Sequence, residues 1–277
     1  MAIFDYTRIE LRHLTARLCN DLITGTVTSP ASGTFVCAET DWEKPEDYFN
    51  HWIEVFDYSG TGVGTSGNPT DWSNITPDFT HTLTFKPAAT LTAGDLVEMH
   101  ERFTVNTYND FINLAIEMVA KEALVDTVDE TIELATDTWQ YDLPTTFLYI
   151  HRIDMQDADG DYDTLKPIDP RYWRVVKTST LTLEFVKGIW SPTDGRTIRI
   201  KGLASPSKLD TDTEECPVNP SYVSYQAAAL LHQSRIRAGD VDSEYHSQQM
   251  TLCQAMADKV RPTMRVSIGG GIPVVEA

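Results

Sequence analysis

The sequence predicts an α+β fold. Long helices and a C-terminal αα-hairpin form a helical wall with an antiparallel β-layer, and a small β-domain or barrel is inserted after the first helix. Apolar residues recur at helical spacing near both ends of the chain, and two blocks of short aromatic and β-branched runs lie between turn residues. The composition, 41% hydrophobic and 23% charged over 277 residues, is that of a globular protein.

Residues 1–25 are predicted to form the first helix of the core, and residues 26–104 are predicted to form the insertion. The helix is expected over residues 6–24, with Asp5 as its cap, because one apolar stripe runs through Leu11, Leu14, Leu18 and Leu22. After Gly25 the residue composition changes. Short aromatic and β-branched runs, such as GTFVCA, WIEVFDY and HTLTFK, are separated by Ser, Thr, Gly and Pro. This pattern favours a compact antiparallel β-domain or small barrel.

Residues 105–262 predict the main core. The segment TVNTYNDFINLAIEMVAKEALV is typical of a helix over residues 108–124, with Thr107 and Asp110 as a capping box. Six β-like runs follow in residues 130–209. Asn219 before Pro220 predicts a helix start, and a second helix over residues 242–261 completes an αα-hairpin. Residues 263–277 are expected to form an extended arm, because three glycines separate TMRVSI from the apolar run IPVV.

Charge and cysteine usage exclude several classes of function. Lys and Arg number 22 and Asp and Glu 41, a formal charge of −19, which argues against duplex binding because nucleic-acid affinity comes largely from cations that neutralise phosphates. The four cysteines form no CxxC pair, which favours reduced thiols in a protein made in the cytoplasm. No apolar run approaches the roughly 20 residues of a membrane span, and the N-terminus lacks the apolar core of a signal peptide.

Motifs for catalysis and cofactors are weak. The GxGxxG match at residues 62–67 is not followed by a helix start, so a flexible hairpin loop explains it. An acidic run beside two tryptophans, AETDWEKPEDYFNHW, is the only hint of a glycan hydrolase. His232 lies on an apolar helix stripe and is expected to be a core histidine. The sequence therefore predicts no catalytic residue and no cofactor.

One acidic loop is a weak metal candidate. Alternating carboxylates suit calcium, and they occur at Asp157, Asp159, Asp161 and Asp163. The glycine and the bidentate glutamate of an EF-hand loop are missing, and an Asp-Gly hairpin turn accounts for the same residues.

Three segments together are similar to one protein family. They are TYNDFINLAIEMVAKEAL; the pair WQYDLPTTFLYIHRIDM and RTIRIKGLASPSKLDTDTEECPVNPSYVSYQAAALL; and GTVTSPASGTFVCAETDWEKPEDYFNHWIEVFD. With the order of elements, they resemble the head-to-tail adaptor (neck or connector) proteins of tailed bacteriophages. The resemblance implies a structural virion protein without catalysis, made in the host cytoplasm and located at the head–tail junction. It implies a ring of twelve copies that docks under the portal protein and continues the DNA channel to a downstream neck or tail protein.

Two sets of residues are predicted to make contacts between proteins. Apolar helix faces wider than one β-layer can cover predict an oligomer interface at Tyr225, Tyr245, Leu252 and Met256. The arm is expected to bind the portal through Val266, Ile268, Ile272, Val274 and Val275.

A different class of function stays open at this point. The alternative is an exposed tail or baseplate module that binds host glycan through a platform in the insertion, formed by Trp42, Trp52, Tyr58 and Trp72.

Overall fold

The computed structural model describes residues 6–31, 34–37, 54–59, 66–74, 81–86, 91–143, 147–162, 167–177, 180–236, 242–264 and 272–273. For residues 29–31, 34–37, 67–74, 81–86, 177 and 272–273 it describes the backbone alone. Helices and antiparallel sheets both occur, so the predicted α+β class is confirmed. Among these residues no helix has the length and apolar character needed to cross a membrane.

The chain divides into two compact units. The barrel unit consists of residues 1–117 and 208–262, and the sheet unit of residues 118–207 and 263–277. The sequence predicts that the helical hairpin forms one core with the β-layer in residues 105–262, but in this division the hairpin belongs to the barrel unit.

Helix α1 spans Arg8–Leu18, which is shorter than predicted. Thr7 caps it: its side chain accepts from the Glu10 N–H at 3.4 Å, and the Glu10 carboxylate accepts from the Thr7 N–H at 2.8 Å. Asn20 takes a left-handed conformation at φ 52° and ends the helical path. The predicted extension to residue 24 is therefore wrong.

The buried face of α1 also differs from the predicted leucine stripe. It consists of Leu11, Arg12, Thr15 and Ala16. The helix is rotated because the Arg12 side chain, fully buried, points inward to two carboxylates.

Six strands form the insertion: β1 Ile23–Ala31, β2 Thr34–Cys37, β3 Glu54–Ser59, β4 Ser66–Asn74, β5 His81–Lys86 and β6 Leu96–His100. They pair as a closed antiparallel barrel in the order β1-β2-β5-β4-β3-β6, and β6 returns to β1 through Ile23 opposite Met99. Since β1 and β6 are the first and last strands, the chain enters and leaves the barrel at neighbouring positions.

Helix α2 spans Val105–Met118 and begins earlier than predicted. Thr104, not Thr107, lies at its start and accepts from the Thr107 N–H at 3.3 Å. Glu54 of β3 accepts from the Val105 N–H at 2.6 Å. A carboxylate from the insertion thus satisfies one of the free N–H groups at this helix end.

The sheet unit contains β7 Val125–Asp129, β8 Gln140–Asp142, β9 Phe147–Met155, β10 Trp173–Lys177, β11 Leu181–Phe185, β12 Ile198–Ala204 and β13 Ile272–Pro273. The strands form one sheet in the order β10-β11-β8 and another in the order β13-β9-β12-β7. Strand β7 begins directly after residue 124, where the sequence predicts the end of α2. An apolar cluster built around Phe147, Ile150, Leu183 and Phe185 forms the core of this unit.

Gly202 allows β12 and β9 to approach closely. A Cβ atom at this position would lie 2.1 Å from the Tyr149 carbonyl oxygen and 2.8 Å from the Phe147 ring. The pairing register shifts between Lys201 and Gly202, so β9 is bent at the point where β13 joins its other edge.

The C-terminal helices are α3, Pro220–Arg235, and α4, Ser243–Val260, followed by a 3-10 turn over Arg261–Met264. The predicted hairpin therefore lies within a few residues of its observed bounds. Small buried residues of α3 and the free thiols of Cys19 and Cys253 contribute to a core cluster with Tyr108.

Candidate assembly interface

Local sequence signals build the hairpin that carries the predicted oligomer interface. The Asn219 side chain accepts from the Ser221 N–H at 3.0 Å, and Pro220 opens α3 as predicted. Gln226 of α3 and Gln254 of α4 hydrogen-bond side chain to side chain at 3.2 Å. These contacts fix which face of α4 packs against α3.

An apolar stripe on α4 is left exposed. The buried positions of this helix are His246, Cys253 and Ala257. On another face, Tyr245, Leu252 and Met256 are 38%, 58% and 36% exposed. Residues four and seven apart share a helix face, so these three form one stripe, which we call the α4 stripe.

The fourth predicted interface residue has a different environment. Tyr225 is half-buried on α3 and packs against the core cluster that contains Tyr108 and Leu231. Its ring therefore contributes to the fold of its own chain.

A buried histidine pair lies next to the α4 stripe. His232 of α3 and His246 of α4 place their Nδ1 atoms 2.9 Å apart, and the ring of Tyr245 lies 6.0 and 5.3 Å from theirs. Burial and the neighbouring His246 lower the pKa of His232 to about 4, so this ring is neutral at neutral pH. Sequence reasoning predicted a core histidine here but missed its partner, because the hairpin brings together residues 14 positions apart.

Two arginines hold the hairpin against the segment that precedes α2. The Arg102 guanidinium lies 5.8 Å from the ring centre of Tyr245, and that of Arg235 lies 4.8 Å from the ring centre of Phe103. Arg235 also donates to the Arg102 carbonyl oxygen. The positive charge of Arg102 further disfavours protonation of His232.

Arg12 is the centre of a buried ion network in the barrel unit. It donates to Glu98 at 2.8 Å and, through two nitrogens, to Asp212 at 3.0 and 2.9 Å. It also donates to the Asn109 side chain at 3.1 Å, and Arg8 reaches Asp212 at 2.7 Å. The network joins α1, β6, α2 and the segment before α3.

Glu98 remains ionised although it is fully buried. Burial alone would raise its pKa, but contacts with His100, His13 and Arg12 lower the pKa to about 2. His13 Nε2 lies 2.9 Å and His100 Nε2 3.6 Å from the carboxylate. Burial alone would lower the pKa of His100, and the Glu98 charge raises it.

Asp21 organises the entry to α2. Its carboxylate accepts four hydrogen bonds, from the N–H groups of Glu101 (2.6 Å), Arg102 (2.9 Å) and Phe103 (3.0 Å) and from the Tyr108 hydroxyl (2.7 Å). Neither this residue nor Arg12 was identified from the sequence. The available signal was an arginine on the inner side of a short amphipathic helix, and its partners lie 86 and 200 residues away.

The weak metal candidate forms a turn. Asp157 accepts from the Asp159 and Asp161 N–H groups at 2.9 and 3.0 Å, and Gly160 has φ +91°. Asp163 lies outside the described residues. Within the described part of the chain no three potential ligands cluster to hold a metal ion.

Other predicted residues are only partly visible. Val266, Ile268, Val274 and Val275 of the arm lie outside the described residues, as do Trp42 and Trp52 of the glycan platform. Ile272 pairs with Ile150 as part of β13. Tyr58 is half-buried with its ring edge-on to His13 at 5.0 Å, and Trp72 is described as backbone in β4.

The chain was compared with protein-family models and with curated proteins. No protein-family model matches the chain, and no curated protein matches it.

Proposed function

We propose that the protein is a structural subunit of a head-to-tail adaptor ring, which docks under the portal of a tailed bacteriophage and continues its DNA channel. The observation that carries the proposal is the α4 stripe, an apolar helix face left exposed on the hairpin. Exposed large apolar side chains in a row are typical of a surface that another protein covers.

The stripe suits contacts between identical copies. Full burial of an apolar side chain of this size contributes about 1.5–3 kcal/mol before the cost of association. If the stripe meets a different surface of the next copy, the contact is heterologous, and such a contact forms a ring when the rotation between copies closes.

The charge supports passage of DNA without adhesion. With a formal charge of −19, the surface repels phosphates, and screening confines this repulsion to about 8 Å at physiological salt. We expect the channel wall to be acidic. A predominantly basic wall on the assembled ring would contradict this part of the proposal.

The α4 stripe is tested by changing its character. Leu252→Asp with Met256→Asp should abolish ring formation and leave the barrel folded, because an unpaired carboxylate is costly to bury. Ser247→Asp with Thr251→Asp is the matched control, since both residues are exposed on α4 away from the stripe. Light scattering after size exclusion, with and without portal, gives the mass. A ring that persists in the stripe variant, or a wild type that stays monomeric even with portal, contradicts the proposal.

The portal is the partner proposed for the arm. Its docking is tested by deleting residues 266–277 and measuring attachment to portal-bearing heads. Attachment as tight as that of the full chain would exclude the arm as the anchor.

A further inference from the structure

The four-stranded sheet of the sheet unit has two edges that are closed in different ways. Strand β7 is one edge, and the carboxylates of Asp126, Asp129 and Glu130 lie along it or directly after it. Charges on an edge oppose the addition of another strand. Strand β9 is next to the other edge and carries no such run of like charge.

Two short segments cover the outer edge of β9. The Ile168 N–H donates to the Ile153 carbonyl at 2.8 Å. Nearer the start of the strand, Ile272 and Pro273 pair with Ile150 and Tyr149 as β13. The first cover comes from the central part of the sheet unit, residues 118–207, whereas the second comes from the C-terminal arm, residues 263–277 of the same unit.

The second cover is short and comes from a long connection. Only two residues pair, and one is a proline, which has no N–H to donate. Residues 265–271, with Gly269 to Gly271, join Met264 to Ile272 and span up to about 25 Å when extended. Met264 lies eight residues beyond Met256, roughly 12 Å along a helix. The arm therefore begins within eight residues of the last residue of the α4 stripe along the chain, and seven residues connect it to the paired segment.

We propose that the outer edge of β9 is a strand-acceptor surface and that in the assembled protein its occupant is the C-terminal segment of a second copy of this chain. The exchange replaces the contact of Ile272–Pro273 with its own β9 by the same contact on a neighbour, so no pairing is lost. The proposal rests on the assembly of copies proposed above and assigns to Ile272 a partner other than the portal.

The geometry of donor and acceptor suits a ring. The donor is the arm and the acceptor is the β9 edge, so each copy gives one strand and receives one. A contact between two different surfaces is heterologous and can close head to tail. Main-chain pairing supplies the attraction, and the acidic β7 edge leaves one acceptor per sheet.

Cross-linking between two differently marked chains tests the exchange. One full-length chain carries Tyr149→Cys, and a second chain, labelled with heavy nitrogen, carries Pro273→Cys. After mixing at a concentration where the protein assembles and mild oxidation, mass spectrometry identifies the linked peptides. We expect a disulfide between position 149 of the light chain and position 273 of the heavy chain. His151→Cys, exposed on β9 but out of register, should cross-link at least about tenfold less with the same partner.

The outcomes separate this proposal from that of ring assembly. If the double variant Tyr149→Cys/Pro273→Cys forms only an intrachain disulfide while the mass shows a ring, exchange is overturned and the ring stands. If the interchain disulfide forms in particles that are not rings, exchange stands and the ring fails.

A second measurement needs no new cysteine. The chain that ends at Met264 should bind a synthetic peptide of residues 266–277, with slower amide hydrogen exchange over residues 147–152. The peptide with Ile272→Pro should not slow it. Equal exchange with both peptides would overturn the acceptor surface itself.

Discussion

The two compact units of the molecule are stabilised in different ways. Of the described residues, the buried polar and charged ones lie in the barrel unit with the single exception of Asp154. The sheet unit is held by an apolar cluster, whereas the barrel unit is crossed by the Arg12 network. Apolar packing tolerates change in proportion to the volume removed, but a buried ion network fails when one member is lost, because its partner remains charged without compensation.

The largest effect is expected from removing the central charge. Arg12→Met leaves Glu98 and Asp212 without the cation that they share, and we expect the barrel unit to lose about 3–5 kcal/mol of unfolding free energy. Amide hydrogen exchange, measured peptide by peptide, should show the loss in residues 8–18 and 96–118. Peptides of residues 147–155 and 181–204 should keep their protection. An equal loss of amide protection in both units would mean that the barrel unit does not depend on the Arg12 network more than the sheet unit does.

A second variant distinguishes lost charge from lost packing. Arg12→Met combined with Glu98→Met removes both members of the most buried pair, and part of the stability should return. If the double variant is less stable than Arg12→Met alone, Glu98 stabilises the barrel unit through contacts other than its pairing with the Arg12 charge.

Acid should affect the barrel unit first. The pKa of His232 is about 4 in the folded protein, below its reference value of 6.5. Between pH 6.5 and 4 the unfolded chain therefore binds more protons at this residue than the folded chain does. The free energy of unfolding consequently decreases as pH falls from 6.5 to 4. Glu98, with pKa about 2 against 4.5, adds a loss between pH 4.5 and 2. The raised pKa of His100 acts oppositely, with a contribution lost as pH rises through its folded pKa.

Hydrogen exchange at pH 7, 5 and 3, corrected for intrinsic rates, measures this effect. His232→Leu should remove the loss of stability between pH 6.5 and 4 and keep the loss between pH 4.5 and 2. Barrel-unit peptides that are as protected at pH 5 as at pH 7 would contradict the role of the histidine.

A smaller effect is expected from Gly202→Ala in the sheet unit. The new Cβ would overlap the Tyr149 carbonyl, so β9 and β12 must separate, at a cost of about 1–3 kcal/mol. Protection should fall in residues 147–155 and stay unchanged in residues 8–18. Val128→Ala, on the exposed neighbouring strand, is the control and should have little effect. Unchanged protection in residues 147–155 would mean that the close approach is not needed.

The smallest effect is expected at the surface ion pairs of the sheet unit. Arg171 contacts Asp169 at 2.6 Å, but its side chain is 80% exposed. Solvated pairs contribute little, so Arg171→Ala should leave unfolding by urea unchanged within error. A clear loss would show that the sheet unit also depends on charge pairing.

The fold was predictable where the signal is local. The N-cap at Asn219, the hairpin and most strands of the sheet unit follow from residues close in sequence. The leucine stripe of α1 misled because the inward position of Arg12 depends on partners far along the chain. The end of α2 was placed too late because helix-forming residues continue past Met118 into β7.

The candidate interface was predictable only in part. Tyr245, Leu252 and Met256 stand out as apolar residues on one helix face, and the structure leaves them exposed. Tyr225 has the same character, but whether such a residue faces core or solvent depends on the helix that packs over it. The His232–His246 pair has no sequence signature, since its spacing is set by the hairpin connection.

The buried arginine also sets a timetable for synthesis. Arg12 and Asp212 are 200 residues apart, and a ribosome adds about 5–20 residues per second. For roughly 10–40 s the N-terminal helix therefore lacks Asp212, whose carboxylate accepts two hydrogen bonds from Arg12 in the folded protein. Residues 118–207, most of the sheet unit, are synthesised before that carboxylate. A nascent chain can thus finish the middle of the protein while Arg12 has only Glu98 as a carboxylate partner, and a product that ends before Asp212 would lack two hydrogen bonds of the network.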